Sequence, residues 1–280
     1  MLGRHRGGVK AVKRGVQVIR IMRELWRWRR LVGELARRDF KARYAGSALG
    51  AAWSVLEPLV QFGLYLTVFG VFLGMRLEGR GGVGNFGLYL ISGLVPFAAF
   101  QESIGRATGL VRERAQLVRH VNVPLEVVLA GALAAVLARQ GVALAIVVAV
   151  AAAAGTITPA GLLWLLAGAA VLTVAVFGLA LGLVVAGAFL PDLAQVVGTG
   201  TMVLFFLTPI VYPASQVPAV LARFLPVNPM WGIVRSFQAG LAGESASAGS
   251  FAVAAACAAI LLAAGSALFT ARRAQVPDLA

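Results

Sequence analysis

Long apolar runs separated by short polar segments dominate this chain of 280 residues. Six of these runs approach or exceed the length of about 20 residues that a helix needs to cross the hydrocarbon core of a bilayer. The pattern therefore predicts an all-α integral membrane protein with six transmembrane helices. The predicted spans are 45–73, 86–104, 124–153, 160–189, 193–211 and 250–270.

A different pattern precedes the first run. Between residues 17 and 44, apolar residues recur every three or four positions, and cations recur at the same spacing on another helical face. Such a helix is too charged to span and is typical of one that lies in the headgroup layer. Residues 1–44 are therefore predicted to form a cytoplasmic basic tail and an amphipathic interface helix. The candidate interface residues are Arg27, Arg30, Arg37, Arg38, Asp39 and Arg43.

The stretch between the last two runs, residues 212–249, contains apolar pieces broken by Pro213, Pro218, Pro226 and Pro229. Each piece is too short to span and too apolar for an ordinary loop. Non-helical backbone at membrane depth is tolerated only where protein or a water-filled cavity surrounds it. We therefore predict outer re-entrant helices between spans five and six.

Composition and charge set the orientation. The chain is 60% hydrophobic and only 13% charged, as expected of a membrane protein. Its formal net charge of +14 raises the possibility of nucleic-acid binding, but 20 of the 25 cations fall in the predicted cytoplasmic segments. That is the positive-inside pattern. It predicts a multi-pass protein of the cytoplasmic (inner) membrane with both termini inside and no nucleic-acid partner.

Several kinds of chemistry are missing from the sequence. A phosphate-binding P-loop needs a lysine after its glycine-rich turn, and the only lysines are Lys10, Lys13 and Lys41. The motifs GxSxG, HExxH and CxxC do not occur, and the single cysteine, Cys257, lies in an alanine-rich run. The chain is therefore not expected to be an enzyme, to hold a metal or to carry a cofactor.

Two charged residues fall inside predicted spans. Arg139 lies 15 residues after Pro124, and Glu57 lies about 12 residues into the first span. Ionisable residues in a span usually face a cavity or pair with one another. Glu57 and Arg139 are therefore candidates either for a neutralising pair that fixes packing or for residues that line a transport pathway.

Aromatic residues form a stripe on the first span at i, i+3, i+7 and i+10. Such a stripe commonly packs against other helices or faces lipid. Alternatively it lines a path for a sugar chain, because the apolar C–H faces of pyranose rings stack on aromatic rings. The residues are Phe62, Tyr65, Phe69 and Phe72.

The polar segment 106–122 is either a solvated loop or a short amphipathic element that docks a cytoplasmic partner. Docking is favoured because apolar Leu110, Val111, Leu117 and Val118 alternate with charges. The candidate docking residues are Arg112, Glu113, Leu117, Arg119, His120 and Asn122.

The chain resembles the membrane subunits of polysaccharide-exporting type-2 ABC transporters, which export O-antigen, capsule and teichoic acid. The most specific part is RRDFKARYAGSALGAAWSVLEPL, residues 37–59. Weaker matches are Gly93-Leu94-Val95-Pro96, Val123-Pro124-Leu125-Glu126, Leu207-Thr208-Pro209-Ile210-Val211-Tyr212 and Asn228-Pro229.

The resemblance implies a type-2 ABC transporter transmembrane domain at 45–272, followed by a cytoplasmic tail at 273–280. It also implies a homodimer with two separate ATP-binding cassette subunits, which would hold ATP and Mg. The coupling helix would lie within 106–122, and a lipid-linked glycan would pass between the protomers. Two alternatives stay open at this point: a type-2 exporter of drugs or lipids, and a membrane scaffold that transports nothing.

Overall fold

The computed structural model describes residues 17–77, 82–114 and 123–276, and over these residues the fold is all-helical. Residues 17–27 are helical (α1) and lead at Trp28 into α2 (Arg29–Tyr44). A short 3₁₀ turn, Gly50–Ala52, begins the first long apolar helix, which continues as α3 (Trp53–Tyr65) and ends in a π-helical stretch, Leu66–Phe72.

The remaining helices follow in the order that the hydrophobic pattern predicts. Their bounds are α4 (Val83–Glu113), α5 (Leu125–Ala153), α6 (Pro159–Phe189), α7 (Leu193–Leu207), α8 (Ala219–Ala222), α9 (Pro229–Leu241) and α10 (Ala248–Arg272).

Among the described residues, five helices are long and apolar enough to cross a membrane: Gly50–Phe72, α4, α5, α6 and Ala248–Gln275. The fifth predicted span, 193–211, contains only the 15-residue α7. This length is below the usual requirement of about 20 residues. The presence of six membrane spans therefore remains a prediction.

The second predicted span differs most from the observed helix. It was predicted to end at Ile104, yet α4 runs on to Glu113. Arg106, Arg112 and Glu113 remain partly or fully exposed on the continuing helix, while Leu110 and Val111 are buried in the bundle. Exposed charges can meet water without ending the helix.

The core forms around α4. In its most apolar stretch 78% of the residues are buried, against 6% for Gly50–Phe72. Helices α6 and α10 pack so closely that a Cβ added to Gly265 would lie 1.8 Å from the carbonyl oxygen of Gly178. Small residues at such crossings let helices approach where lipid provides no hydrophobic drive between them.

Helix α9 is almost entirely enclosed by α4, α6 and α10. Eleven of its 13 residues are buried. Asn228 caps its first turn, accepting a hydrogen bond from the Met230 amide at 3.0 Å and donating one to Thr208 Oγ1 at 3.0 Å. Two separate proline motifs, Thr208-Pro209 and Asn228-Pro229, are thereby joined.

An ion pair fixes the end of α10 to the start of α5. Arg273 Nη1 lies 2.6 Å from Glu126 Oε1, and Glu126 is only 2% exposed. The carboxyl-terminal end of the last span therefore lies beside the first turn of α5.

Candidate functional site

The interface helix α2 packs along α5. Its apolar face meets α5 at Gly131, where an added Cβ would lie 2.7 Å from Leu35 Cβ. The opposite face exposes the predicted interface cations Arg27, Arg30, Arg37 and Arg38. The apolar face of this amphipathic helix thus packs against a specific partner, α5, and its cations remain exposed.

The last two predicted interface residues point the other way. The Asp39 side chain is only 9% exposed and pairs closely with Arg114, and its other oxygen lies 3.9 Å from Arg106 Nη2. Arg106 Nη1 also lies 2.6 Å from Glu113 Oε2. Asp39 therefore ties the interface helix to the final turns of α4.

Arg43 joins a second group of charges. Its guanidinium lies 3.1 Å from Glu57 Oε1 and 3.6 Å from Glu102 Oε1. Arg139 pairs closely with Glu102 and lies 4.0 Å from Glu57 Oε2. The expected contact between Glu57 and Arg139 is thus present but long, and Glu102 is the closer partner, which the hydrophobic pattern did not indicate.

These charges surround a cavity of about 330 Å³ between α2, α4 and α5, which we call the charged cavity. Its polar lining consists of four guanidinium groups and two carboxylates. They belong to Arg43, Arg106, Arg114, Arg139, Asp39 and Glu102. The remaining carboxylate partners, Glu57 and Glu113, are not part of this lining and are about half exposed. The lining itself therefore has a net charge of +2.

A second cavity, of about 230 Å³, lies between the first span, α4 and α7. Phe97 and Phe205 meet edge to face with ring centroids 5.1 Å apart, and Tyr65 lies 6.3 Å from Phe205. We call it the aromatic cavity. Its lining is Gln61, Tyr65, Leu94, Phe97, Ala98, Gln101, Met202, Phe205 and Phe206.

The four residues of the predicted aromatic stripe lie in different environments. Phe62 is buried, Tyr65 lines the aromatic cavity and stacks on Phe69 at 6.0 Å, and Phe72 is 76% exposed. The π-helical stretch Leu66–Phe72 takes more residues per turn than the α-helical period used to align the stripe, which shifts Phe69 and Phe72 relative to Phe62 and Tyr65. Phe97, Phe205 and Phe206 come from other helices, so spacing on the first span alone gave no signal for them.

A small cleft of about 30 Å³ lies between the two cavities. It shares Arg139 with the lining of the charged cavity, and it shares Gln61, Leu94 and Ala98 with that of the aromatic cavity. The lining residues thus pass from guanidinium groups at one end to aromatic rings at the other.

The turn between the interface helix and this span depends on two glycines. Gly46 has φ +80° and Gly50 has φ +49°, and an added Cβ would meet nothing within 4 Å at either position. Their role here is the left-handed backbone, which L side chains disfavour.

The predicted coupling residues are only partly described by the structure. Leu117, Arg119, His120 and Asn122 lie outside the described residues. Arg112 donates hydrogen bonds to Gly187 O at 3.2 Å and to Pro191 O at 3.1 Å, so it holds the end of α6 and the turn into α7. Glu113 pairs with Arg106. The end of α4 is thereby fixed both to α2 and to the turn between α6 and α7.

The described residues contain no candidate metal site. Within residues 17–77, 82–114 and 123–276, no group of three or more His, Cys, Asp or Glu side chains is placed to hold a metal ion.

Comparisons with known proteins agree on one family. The family described as "ABC-2 type transporter" matches residues 30–242. An O-antigen export system permease protein RfbA from Myxococcus xanthus is 30% identical over 79% of this chain and 84% of its own length. One of the same name from Klebsiella pneumoniae is 26% identical over 73% of this chain and 77% of its own. The polysialic acid transport protein KpsM of Escherichia coli is 25% identical over 70% and 75%. Since the family match covers well over half of the chain, this protein belongs to the ABC-2 type transporter family.

Proposed function

We propose that this chain is the membrane permease subunit of an ABC exporter that moves a lipid-linked polysaccharide across the cytoplasmic membrane. The observation that carries the proposal is the aromatic cavity between the first span, α4 and α7. Aromatic rings bind sugars through many weak contacts, so a chain can slide past them. The names of the relatives, O-antigen export permease and polysialic acid transport protein, give the same class of substrate.

The energy for export would come from partner chains. An ABC-2 type transporter works with ATP-binding subunits, and this sequence contains no P-loop lysine. We assign ATP and Mg to two such subunits beneath the permease. The route for their motion runs through segment 106–122, because the end of α4 is tied by Arg112 to the α6–α7 turn and by Arg106 to α2.

We further propose that α7 completes a sixth crossing. Fifteen helical residues cover about 22 Å. Residues 208–211 continue from its end and are buried against the bundle, a place where irregular backbone at membrane depth is tolerated. With six crossings and most cations inside, both termini are cytoplasmic and α9 is a re-entrant helix on the outer side.

A second copy of the chain is proposed to cover the first span. Only 6% of the most apolar stretch of Gly50–Phe72 is buried within one protomer, and α7 is largely exposed as well. These two helices also line the aromatic cavity. A homodimer formed along this face would place the cavities of both copies beside the glycan path.

Deletion of the gene and complementation test the proposed function. The deletion strain should lose its surface polysaccharide and accumulate that polymer inside the cell, and the intact chain should restore export. Unchanged surface polysaccharide in the deletion strain would overturn the proposal. Export that depends on this chain but persists when the partner ATPase is inactivated would favour a scaffold over a permease.

A further inference from the structure

The charged cavity holds more positive charge than its own carboxylates neutralise. Four guanidinium groups and two carboxylates line it. The two more enclosed pairs, Arg114 with Asp39 and Arg139 with Glu102, have side chains that are all less than one third exposed. Breaking such a pair is costly because it leaves a partly buried charge uncompensated. These two pairs are therefore fixed parts of the structure.

Arg43 and Arg106 are held less tightly than Arg114 and Arg139. Their side chains are 47% and 36% exposed, and their shortest ion pairs are made with the half-exposed carboxylates Glu57 and Glu113. Their contacts to the buried acids are long, at 3.6 Å for Arg43 to Glu102 and 3.9 Å for Arg106 to Asp39. Exposed ion pairs contribute little free energy. Both guanidinium groups can therefore exchange those carboxylates for another anion at small cost.

We propose that the charged cavity binds a phosphate or pyrophosphate group, with Arg43 and Arg106 as its direct ligands. Arginine is suited to this role because its planar guanidinium binds phosphate oxygens in a bidentate manner. The excess of two positive charges matches the two negative charges of a pyrophosphate diester. The cavity volume of about 330 Å³ leaves room for such a group.

The position of the cavity identifies the origin of the group. The cavity lies beside the carboxyl-terminal end of the interface helix, and a helix of this kind lies at the level of lipid headgroups. The small cleft at Arg139 lies between it and the aromatic cavity. A glycan joined to its lipid through phosphate would thus have its phosphate at Arg43 and Arg106 and its sugars toward Tyr65. This part of the inference rests on the proposed function.

Binding measurements on the full chain in detergent test the site. The probes are farnesyl pyrophosphate, inorganic pyrophosphate and farnesol. Arg43→Gln and Arg106→Gln should each weaken binding of farnesyl pyrophosphate by about tenfold, the effect of losing one charged hydrogen bond. Lys41→Gln is the matched control, because Lys41 is an exposed cation two residues from Arg43 on the same helix. It should bind like the wild type, and no substitution should change farnesol binding.

Two further comparisons help to interpret the binding result. Arg43→Lys retains the charge and should recover part of the affinity, which separates loss of the ligand from loss of the fold. Tighter arginine-dependent binding of farnesyl than of inorganic pyrophosphate supports a lipid headgroup, whereas the reverse order assigns the site to the free anion. Equal binding by all variants, or equal weakening by Lys41→Gln, would overturn the site. Loss of the site with normal polysaccharide export would leave the proposed function intact, and arginine-dependent binding without export would contradict that function alone.

Discussion

Arg139 shows how a single charge is accommodated among apolar helices. Its side chain is 12% exposed and pairs with Glu102, which also accepts a hydrogen bond from Gln140 Nε2 at 3.2 Å. Arg43 and Glu57 complete the group. Each carboxylate therefore contacts two guanidinium groups, so that no charge in the group is left alone in a low-dielectric layer.

Arg139→Leu should destabilise the chain because it leaves the partly buried Glu102 without its closest partner. Removal of one member of a fully buried pair costs about 3–5 kcal/mol, and the cost here should be smaller because Glu102 is 27% exposed and keeps Arg43 at 3.6 Å. The expected result is a clear drop in the unfolding temperature of the detergent-purified protein, measured by a thermal shift assay.

The double variant Arg139→Leu with Glu102→Leu serves as the control. It removes both charges and should recover much of the lost stability, since apolar residues can replace a buried pair with little loss. A double variant as unstable as Arg139→Leu alone would show that the two side chains act independently.

The sequence indicated that Arg139 needs a partner and suggested Glu57, but it gave no signal for the closer partner, Glu102. Glu57 was chosen because both residues fall at similar predicted depth. Glu102 was missed because the second span was predicted to end at Ile104, which placed it at the water boundary. The contact depends on α4 continuing to Glu113 and on its crossing with α5, and neither can be derived from hydropathy along a single run.

At the scale of elements, the packing of α2 on α5 depends on one small residue. An added Cβ on Gly131 would lie 2.7 Å from Leu35 Cβ and 3.5 Å from the carbonyl oxygen of Val32. Contacts that close force the helices apart. The interface helix would then lose its position over the charged cavity.

Gly131→Ala should therefore loosen α2 and cost about 1–3 kcal/mol, as overpacking typically does. Spin labels on α2 and α5 would report a longer and broader distance distribution. Gly141→Ala is the control on the same helix, because a Cβ there meets nothing within 4 Å. Leu35→Gly combined with Gly131→Ala removes the clashing Cβ and should move the distribution back toward the narrow one. An unchanged distribution in Gly131→Ala alone would contradict this packing.

Hydropathy located most long helices well. The third, fourth and sixth predicted spans begin and end within two residues of α5, α6 and α10. Hydropathy did not indicate the π-helical stretch Leu66–Phe72, because the hydropathy of a residue is the same in an α-helix and a π-helix. That stretch shifts Phe69 and Phe72 out of the predicted alignment of the stripe. The fold class was thus accessible from the sequence, and the composition of the site was accessible only in part.

At the scale of the whole molecule, the exposed first span predicts contact between two copies. Val60 is 66% exposed on α3, and Cys257 is the single cysteine of the chain. In a Cys257→Ser background, Val60→Cys should give a disulfide-linked dimer in membranes under oxidation. Leu163→Cys on α6, which is 70% exposed, is the comparison and should remain monomeric. Equal crosslinking at both positions would indicate random collision.

The aromatic cavity gives the account its most direct test, which is export of polysaccharide by a variant that assembles normally. Tyr65→Ala with Phe205→Ala removes two rings from the cavity, whereas Phe72→Ala removes an exposed ring outside it. Surface polysaccharide is quantified against the amount of permease in the membrane. Because each aromatic contact contributes about 0.5–1.5 kcal/mol, loss of two contacts corresponds to about fivefold or more, so we predict that export by the double variant falls by at least about fivefold at unchanged protein level, while Phe72→Ala exports like the wild type. Normal export by the double variant, or a parallel loss of protein and export, would contradict a glycan path through this cavity.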